Sequence, residues 1–260
     1  SGMVASRSNL DLLWIQNDSG NKPYIYGIDL EGNLKATVSL EKAGIILIDC
    51  ESLSWGNGGD GKDNFIYAGD IGDNNLARAI VTVLRFKEPD LKDSVDSIIK
   101  PENIEVMPLK FPGGPENCEA LLVQPGTSNL YLISKQLDGS PSKVYKASFR
   151  HTSEPVLLEK IATLKLPSSD SFSLVVTGGD ISSDGRKLVL STYGYCYQMK
   201  LPPGLKSDQF DTIWRTQPEI LKVPALPQSE CVCYSVKGEF IYITSEGTNQ
   251  PIYRLKTKTE

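Results

Sequence analysis

One pattern recurs five times along this chain: a short apolar strand, a polar or glycine-containing turn, and a second apolar strand ending in small polar residues. Clear copies are 118–123 with 130–135, and 230–234 with 240–247. A third strand follows each copy, and a fourth follows in most of them. The pattern has no helical period, so it predicts a chain made of repeated antiparallel hairpins.

Repeated four-stranded units predict an all-β, five-bladed β-propeller, because radial packing buries both faces of each small sheet. A six-bladed propeller is the alternative count. A β-sandwich also alternates strands and turns, but it does not need the same hairpin five times. The 260 residues predict one domain, with blades at roughly 1–47, 48–112, 113–170, 171–226 and 227–260. The last blade is one strand short, so either a closing strand precedes Ser1 or this blade has three strands.

The charge pattern argues against several partners. The formal net charge is -5, and Lys and Arg are spread thinly, which gives no basic surface for nucleic acid or an anionic membrane. No apolar run approaches the ~20 residues needed to cross a bilayer. We expect a monomer that uses neither nucleic acid nor membrane as a partner.

The histidine and cysteine content limits the chemistry. His151 is the single histidine and lies in a polar loop, so a serine triad or a multi-histidine zinc site would have to use it. We interpret it as solvated surface. The five cysteines show no zinc-finger spacing; most are expected to be buried, and a bridge between Cys50 and Cys118 is one possibility.

The innermost strands carry acids near their starts. In a propeller these starts converge on the central channel, and carboxylates buried near one another are costly unless a cation neutralises them. An oxygen-only ligand set suits Ca²⁺, so the sequence predicts a central calcium site. The alternative is that these acids cap backbone amides or pair with Lys and Arg. The aligned positions are Ser1, Glu51, Glu119, Asp180 and Glu230.

The ends of the second strands lie at the same channel mouth. They supply charged and hydrogen-bonding groups of both signs, as a polar ligand requires, and Gly72 and Gly247 would let the backbone approach that ligand. The charged, proline-bounded connection 87–101 is predicted to be a solvated insertion. The candidate binding or catalytic residues are Asp18, Asp70, Asp73, Arg78, Lys135, Tyr193 and Glu246.

Motifs along nearly the whole chain resemble a family of often secreted proteins that are predicted to be propellers. The motifs are Asn-Asp-Ser-Gly at 17–20, Gly-Asp-Ile-Gly-Asp-Asn at 69–74 with Arg78, Thr-Gly-Gly-Asp at 177–180, and Ser-Glu-Gly at 245–247. The resemblance implies a propeller and a secreted or extracellular location. It assigns no activity.

A second resemblance is architectural. The acidic ring is similar to that of the calcium-activated nucleotidases, five-bladed apyrases that place Ser and Glu side chains from the innermost strands around an axial Ca²⁺. Asp180 stands where a Ser is expected, and the nucleotide-handling residues find no match. Nucleotide hydrolysis therefore rests on a shared scaffold alone, which is poor evidence for function.

Two functions follow from these features. The first is a propeller that binds a polar small molecule, a glycan or a protein at the channel mouth, with a central calcium ion. The alternative is a calcium-dependent hydrolase of phosphate-ester or glycosidic bonds, with Arg78 and Lys135 holding an anionic group. Sequence does not decide whether the protein is an enzyme. A glycosidase would draw its acid pair from Asp18, Asp70, Glu119, Asp180 and Glu230.

Overall fold

The computed structural model describes residues 2–18, 20–41, 45–59, 61–92, 98–168 and 170–257. Short strands dominate it, the inner ones buried along nearly their whole length, and two 3₁₀ helices, Ser171–Leu174 and Ser207–Arg215, lie between strands. The strands are β1 (Gly2–Ala5), β2 (Leu12–Gln16), β3 (Tyr24–Asp29), β4 (Leu34–Ser39), β5 (Cys50–Gly56), β6 (Phe65–Asp70), β7 (Val81–Lys87), β8 (Ile98–Ile99), β9 (Ile104–Lys110), β10 (Cys118–Val123), β11 (Asn129–Ser134), β12 (Lys143–Ser148), β13 (Val156–Leu157), β14 (Glu159–Thr163), β15 (Val176–Ile181), β16 (Lys187–Thr192), β17 (Cys196–Lys200), β18 (Glu219–Leu221), β19 (Ser229–Tyr234), β20 (Phe240–Ser245) and β21 (Tyr253–Lys256).

These strands form five antiparallel sheets, which are the blades of a propeller. From the innermost strand outwards the blades are β1-β2-β3-β4, β5-β6-β7-β9, β10-β11-β12-β14, β15-β16-β17-β18 and β19-β20-β21. Each innermost strand contacts the innermost strands of both neighbouring blades, and β19 contacts β1, so the ring is closed. The prediction of an all-β, five-bladed propeller is confirmed.

The core lies between the blades. Each of five apolar clusters fills one junction between neighbouring blades. Alternation along β10 shows how the sequence achieves this: Leu121 and Val123 pack towards blade two, while Ala120 and Leu122 pack towards blade four. A buried strand with apolar residues on both faces therefore joins two junctions.

Segments from one blade cover the outer part of the preceding blade. The two-residue strand β8 comes between β7 and β9 of blade two in the chain, but it pairs in parallel with β4 of blade one. The two-residue strand β13 of blade three likewise pairs in parallel with β9 of blade two. The second 3₁₀ helix, from blade four, packs Phe210 and Trp214 against Tyr131 of blade three. We call these three segments straps. A groove of about 660 Å³ lies at the junction between blades five and one, lined by the β1–β2 and β19–β20 turns, and the three straps do not cover this junction.

The structure bears on three sequence predictions outside the blades. The connection 87–101 is not simply solvated, because Glu88 is buried and β8 pairs with blade one. The five cysteines are free thiols, and the Cys50 thiol donates to Gln16 Oε1 at 3.2 Å, so a bridge to Cys118 is absent. His151 is exposed and accepts a hydrogen bond from the Val106 amide. Within the described residues, no helix has the length and apolar character to span a bilayer.

Candidate functional site

A β-bulge aims the first acidic side chain of three blades at the channel axis. Pairing of the innermost hairpins skips Glu51 in β5, Glu119 in β10 and Glu230 in β19. A bulged residue leaves the regular alternation and can be re-aimed, which is common at the rims of barrels. All three carboxyl groups are buried, and Glu51 and Glu230 both act electrostatically on Glu119. The structure therefore brings these three predicted residues together.

The fourth predicted member of the ring, Asp180, lies elsewhere. The skipped residue in β15 is Thr177, so Thr177 is in register with the three glutamates, and Asp180 lies three residues further along the channel. The prediction that Asp180 belongs to the ring took Gly179 as the strand start, whereas β15 begins at Val176. Both glycines lie inside β15. Position 178 requires glycine because a Cβ there would be 2.4 Å from the Glu230 carbonyl oxygen. Ser1, the fifth predicted member, lies outside the described residues.

Lys135 neutralises part of the acidic ring. Its ammonium group lies 2.9 Å from Glu119 Oε1 and 5.3 Å from the centre of the Tyr193 ring. Burial and the neighbouring Glu51 nevertheless raise the pKa of Glu119 to about 8, against the opposing effect of Lys135. Burial alone would lower the pKa of Lys135, but Glu119 and Tyr193 outweigh it and hold the pKa above its ordinary value. Three sequence candidates thus meet in one buried contact.

A second acidic group lies beside the ring. Carboxylate oxygens of Asp18, Asp49 and Glu51 all lie within 4.8 Å of one another. Burial and Glu51 raise the pKa of Asp49 to about 6. Glu246 has a raised pKa as well, through burial and a hydrogen bond with Asp18. The sequence reading missed Asp49, although it comes directly before the strand that carries Glu51.

The Gly-Asp-Ile-Gly-Asp-Asn motif positions this second group. Asp70 accepts hydrogen bonds from the Ile48 and Asp49 amides and pairs with Arg78 at 2.6 Å, so it fixes the entry into β5. A Cβ at Gly72 would lie 2.4 Å from Asp49 Oδ2, so glycine leaves the space that this carboxylate occupies.

Asp73 completes the turn, accepting hydrogen bonds from the Ala77 and Arg78 amides. Asp70, Asp73 and Arg78 therefore position the loops around the mouth through these contacts. Of the two cations predicted to hold an anionic group, Arg78 pairs with Asp70 and Lys135 pairs with Glu119.

Acids towards the opposite end of the channel are saturated with donors. Asp180 accepts hydrogen bonds from the Tyr234 and Ile181 amides and lies near Arg7. Burial raises the pKa of Asp180 to about 6, although Arg7 and these amides oppose the shift. Glu88 accepts from the Ser6 hydroxyl, from the Arg7 amide at 3.1 Å and from the Trp14 ring nitrogen at 2.8 Å. These carboxyl groups hold blades together and leave little capacity for a ligand.

The mouth differs from that end in its donor set. It gathers several carboxylate oxygens close together, which is the ligand type that a hard cation such as Ca²⁺ prefers. Its carboxyl groups are Asp18, Asp49, Glu51, Glu119, Glu230 and Glu246.

Comparisons with known proteins show the fold. No family model and no curated protein matches the chain. Among solved structures it is similar to the PQQ-bound aldose sugar dehydrogenase of Streptomyces coelicolor, with 10% identity, a TM-score of 0.51, and coverage of 98% of this chain and 93% of that chain. It also aligns with a protein provisionally assigned as a 6-phosphogluconolactonase of Bacteroides uniformis (10% identity, TM-score 0.46, 100% and 68% covered) and with a chain of a nidogen/laminin complex (16%, 0.49, 98% and 74%). At 10% identity the likeness to the dehydrogenase shows the fold alone.

Proposed function

We propose that this protein is a ligand-binding propeller that holds Ca²⁺ at its channel mouth, between Asp18, Asp49 and Glu51. The observation that carries the proposal is the convergence of three carboxylate groups within 4.8 Å. The donor chemistry fits a hard cation, since every ligand is oxygen.

Titration of calcium into chelator-treated protein by isothermal calorimetry tests this proposal. We expect one site per chain, and a stability gain of about 2.7 kcal/mol when free calcium is a hundred times its Kd. Asp49→Asn should weaken binding at least tenfold. Asp63→Asn, at an exposed acid that pairs with Lys87, is the matched control and should leave the Kd unchanged. Absence of both binding heat and thermal shift at millimolar calcium would rule the site out.

The pH dependence follows from Asp49. Its pKa of about 6 means that protons compete for this ligand below that pH. Because the cation binds the ionised form, affinity should be full well above pH 6 and fall as the pH drops through 6. The same titration repeated across this range checks the prediction, and a flat profile would exclude Asp49 as a ligand.

Hydrolysis of a glycosidic bond is the second candidate. Burial raises the pKa of Glu119 to about 8, a shift in the direction that a general acid needs, and Glu119 lies near Glu51. An acidic mouth favours a neutral sugar over a phosphate ester. Release of nitrophenol from a panel of aryl glycosides, lost in Glu119→Gln, would support this activity. No turnover above a buffer blank across the panel would leave binding as the function.

A further inference from the structure

Exposed apolar side chains are concentrated in the loops around the acidic mouth. Of the thirteen large hydrophobic residues that are exposed in the described parts of the chain, seven lie in loops of this face, and they are 42% to 80% exposed. Exposed apolar residues grouped in this way mark interaction surfaces, whereas scattered ones need no explanation. The seven are Ile46, Ile48, Leu76, Ile80, Leu137, Phe172 and Tyr195.

Four of them form a first bank, beside blade two. Ile46 and Ile48 lead directly into Asp49, and Leu76 and Ile80 stand on either side of Arg78. The two loops are held together, because Asp70 accepts from the Ile48 amide and binds Arg78. The contacts that position the proposed calcium ligands therefore also hold the first bank in place.

The other three form a second bank, across the mouth at blades three and four. The Phe172 ring lies 6.5 Å from that of Tyr193, and Tyr193 in turn contacts Lys135. The loop 193–195 packs tightly on the first 3₁₀ helix, since a Cβ at Gly194 would lie 2.2 Å from Ser173 Oγ. Aromatic side chains held by their loop lose little freedom on binding, so they suit an interface.

The mouth beside the two banks is acidic: Glu51, Glu119 and Glu230 are buried in it, and its partly exposed acids are Asp18, Asp49 and Glu246. The mouth carries six carboxyl groups, with Lys135 placed among them. A bound Ca²⁺ would offset two negative charges and leave the centre acidic. Complementarity therefore calls for a cationic group at the centre and apolar groups on both sides.

We infer that this face binds an extended segment of a partner protein. A Lys or Arg side chain of that segment contacts the acids, and its apolar side chains pack against the two banks. A chain of residues can reach both banks at once, which a small ligand centred on the acids does not do. Aromatic and apolar residues around a charged centre match the usual composition of interface cores. The inference deepens the proposed binding function by naming its partner class, and it does not depend on the calcium ion.

Selection from a displayed library of random short peptides tests the inference. Wild-type protein, with calcium and separately with EDTA, is the selection target, and a variant carrying Ile48→Ser and Phe172→Ser is the counter-target. Both positions are exposed, so their replacement should change stability by no more than about 0.5 kcal/mol. We expect enriched peptides with a Lys or Arg between apolar residues. Binding should fall at least tenfold in the double variant and on changing the basic residue to Gln. Leu10→Ser, 93% exposed and on the opposite face, is the matched control and should keep full affinity.

Several outcomes would overturn the inference. These are no enrichment over the counter-target, enriched peptides without a basic residue, or equal binding to the double variant. Binding of wild type to phosphatidylcholine vesicles that the double variant loses would assign the banks to a lipid surface instead. Peptide selection that succeeds in EDTA while calorimetry shows no calcium binding would keep this inference and remove the proposed metal site, so the two failures are distinguishable.

Discussion

The two ends of the central channel both hold buried carboxyl groups, but they surround them differently. At one end Glu88 receives hydrogen bonds from Ser6, Arg7 and Trp14. At the mouth Glu119 has Lys135 on one side and Glu51 and Glu230 on the other. Because an unpaired buried charge is costly, saturated donors indicate a structural role and clustered acids indicate capacity for a cation. The surroundings of an acid, and not its burial, separate a scaffold from a site.

Glu88→Ala should have the largest effect on the saturated end. It leaves buried donors from Ser6 and Trp14 without an acceptor and removes a charge facing Arg7, so we expect a loss of about 3–5 kcal/mol of unfolding free energy. Urea denaturation monitored by tryptophan fluorescence measures it. Glu230→Gln at the mouth is the comparison variant, with an expected change below about 1 kcal/mol. Equal losses in the two variants would show that the ends do not differ.

Lys135→Met should show how much the clustering of acids destabilises the folded protein. In EDTA we expect a loss of about 1–3 kcal/mol, because Glu119 loses its charged partner. The pKa of Glu119 in the folded protein is about 8, above its ordinary value of 4.5, so its contribution to stability is present below pH 4.5 and lost as the pH rises through 8. Lys135 lowers the pKa of Glu119, so without Lys135 that pKa should rise further and the loss of stability should move to higher pH. Melting curves from pH 4 to 9 would show it, and an unmoved profile would mean that Lys135 does not act on Glu119.

Gly72→Ala should damage the mouth while sparing the fold. Its Cβ would collide with the Asp49 carboxylate, so calcium affinity should fall about tenfold, equivalent to about 1.4 kcal/mol. Gly113→Ala is a matched control, since a Cβ there meets no atom within 4 Å. Calorimetry on the two variants decides. A normal Kd in the first would place the ion away from Asp49.

Asp180→Asn should have the smallest effect on calcium. Because Asp180 is out of register with the glutamates, its replacement should change the Kd by less than twofold, while it destabilises the protein by about 1–3 kcal/mol through Arg7 and the Tyr234 amide. Calcium binding weakened tenfold would instead place Asp180 among the calcium ligands.

The repeat was visible in the sequence because each hairpin alternates apolar residues and ends in a polar turn. The three glutamates were visible because each stands one residue into such a strand. Register in β15 was not, because Gly178 and Gly179 resemble a turn but serve close packing between inner strands. Asp49 was not either, since its partners come from a loop more than twenty residues later, and long-range contacts of this kind leave no local pattern.

The straps have a consequence for access to the mouth. Three successive junctions are covered by chain from the following blade, whereas the three straps cover neither the junction between blades four and five nor that between blades five and one. The junction between blades five and one has a small apolar cluster and the contact of β19 with β1. Amide hydrogens of β20 and β21 should therefore exchange sooner than those of β10 and β11. Asp18 and Glu246 stand on opposite sides of that junction, in one groove of about 850 Å³. Transient widening there would separate this carboxyl pair, so opening of the ring at this junction would weaken the binding of a ligand at the mouth.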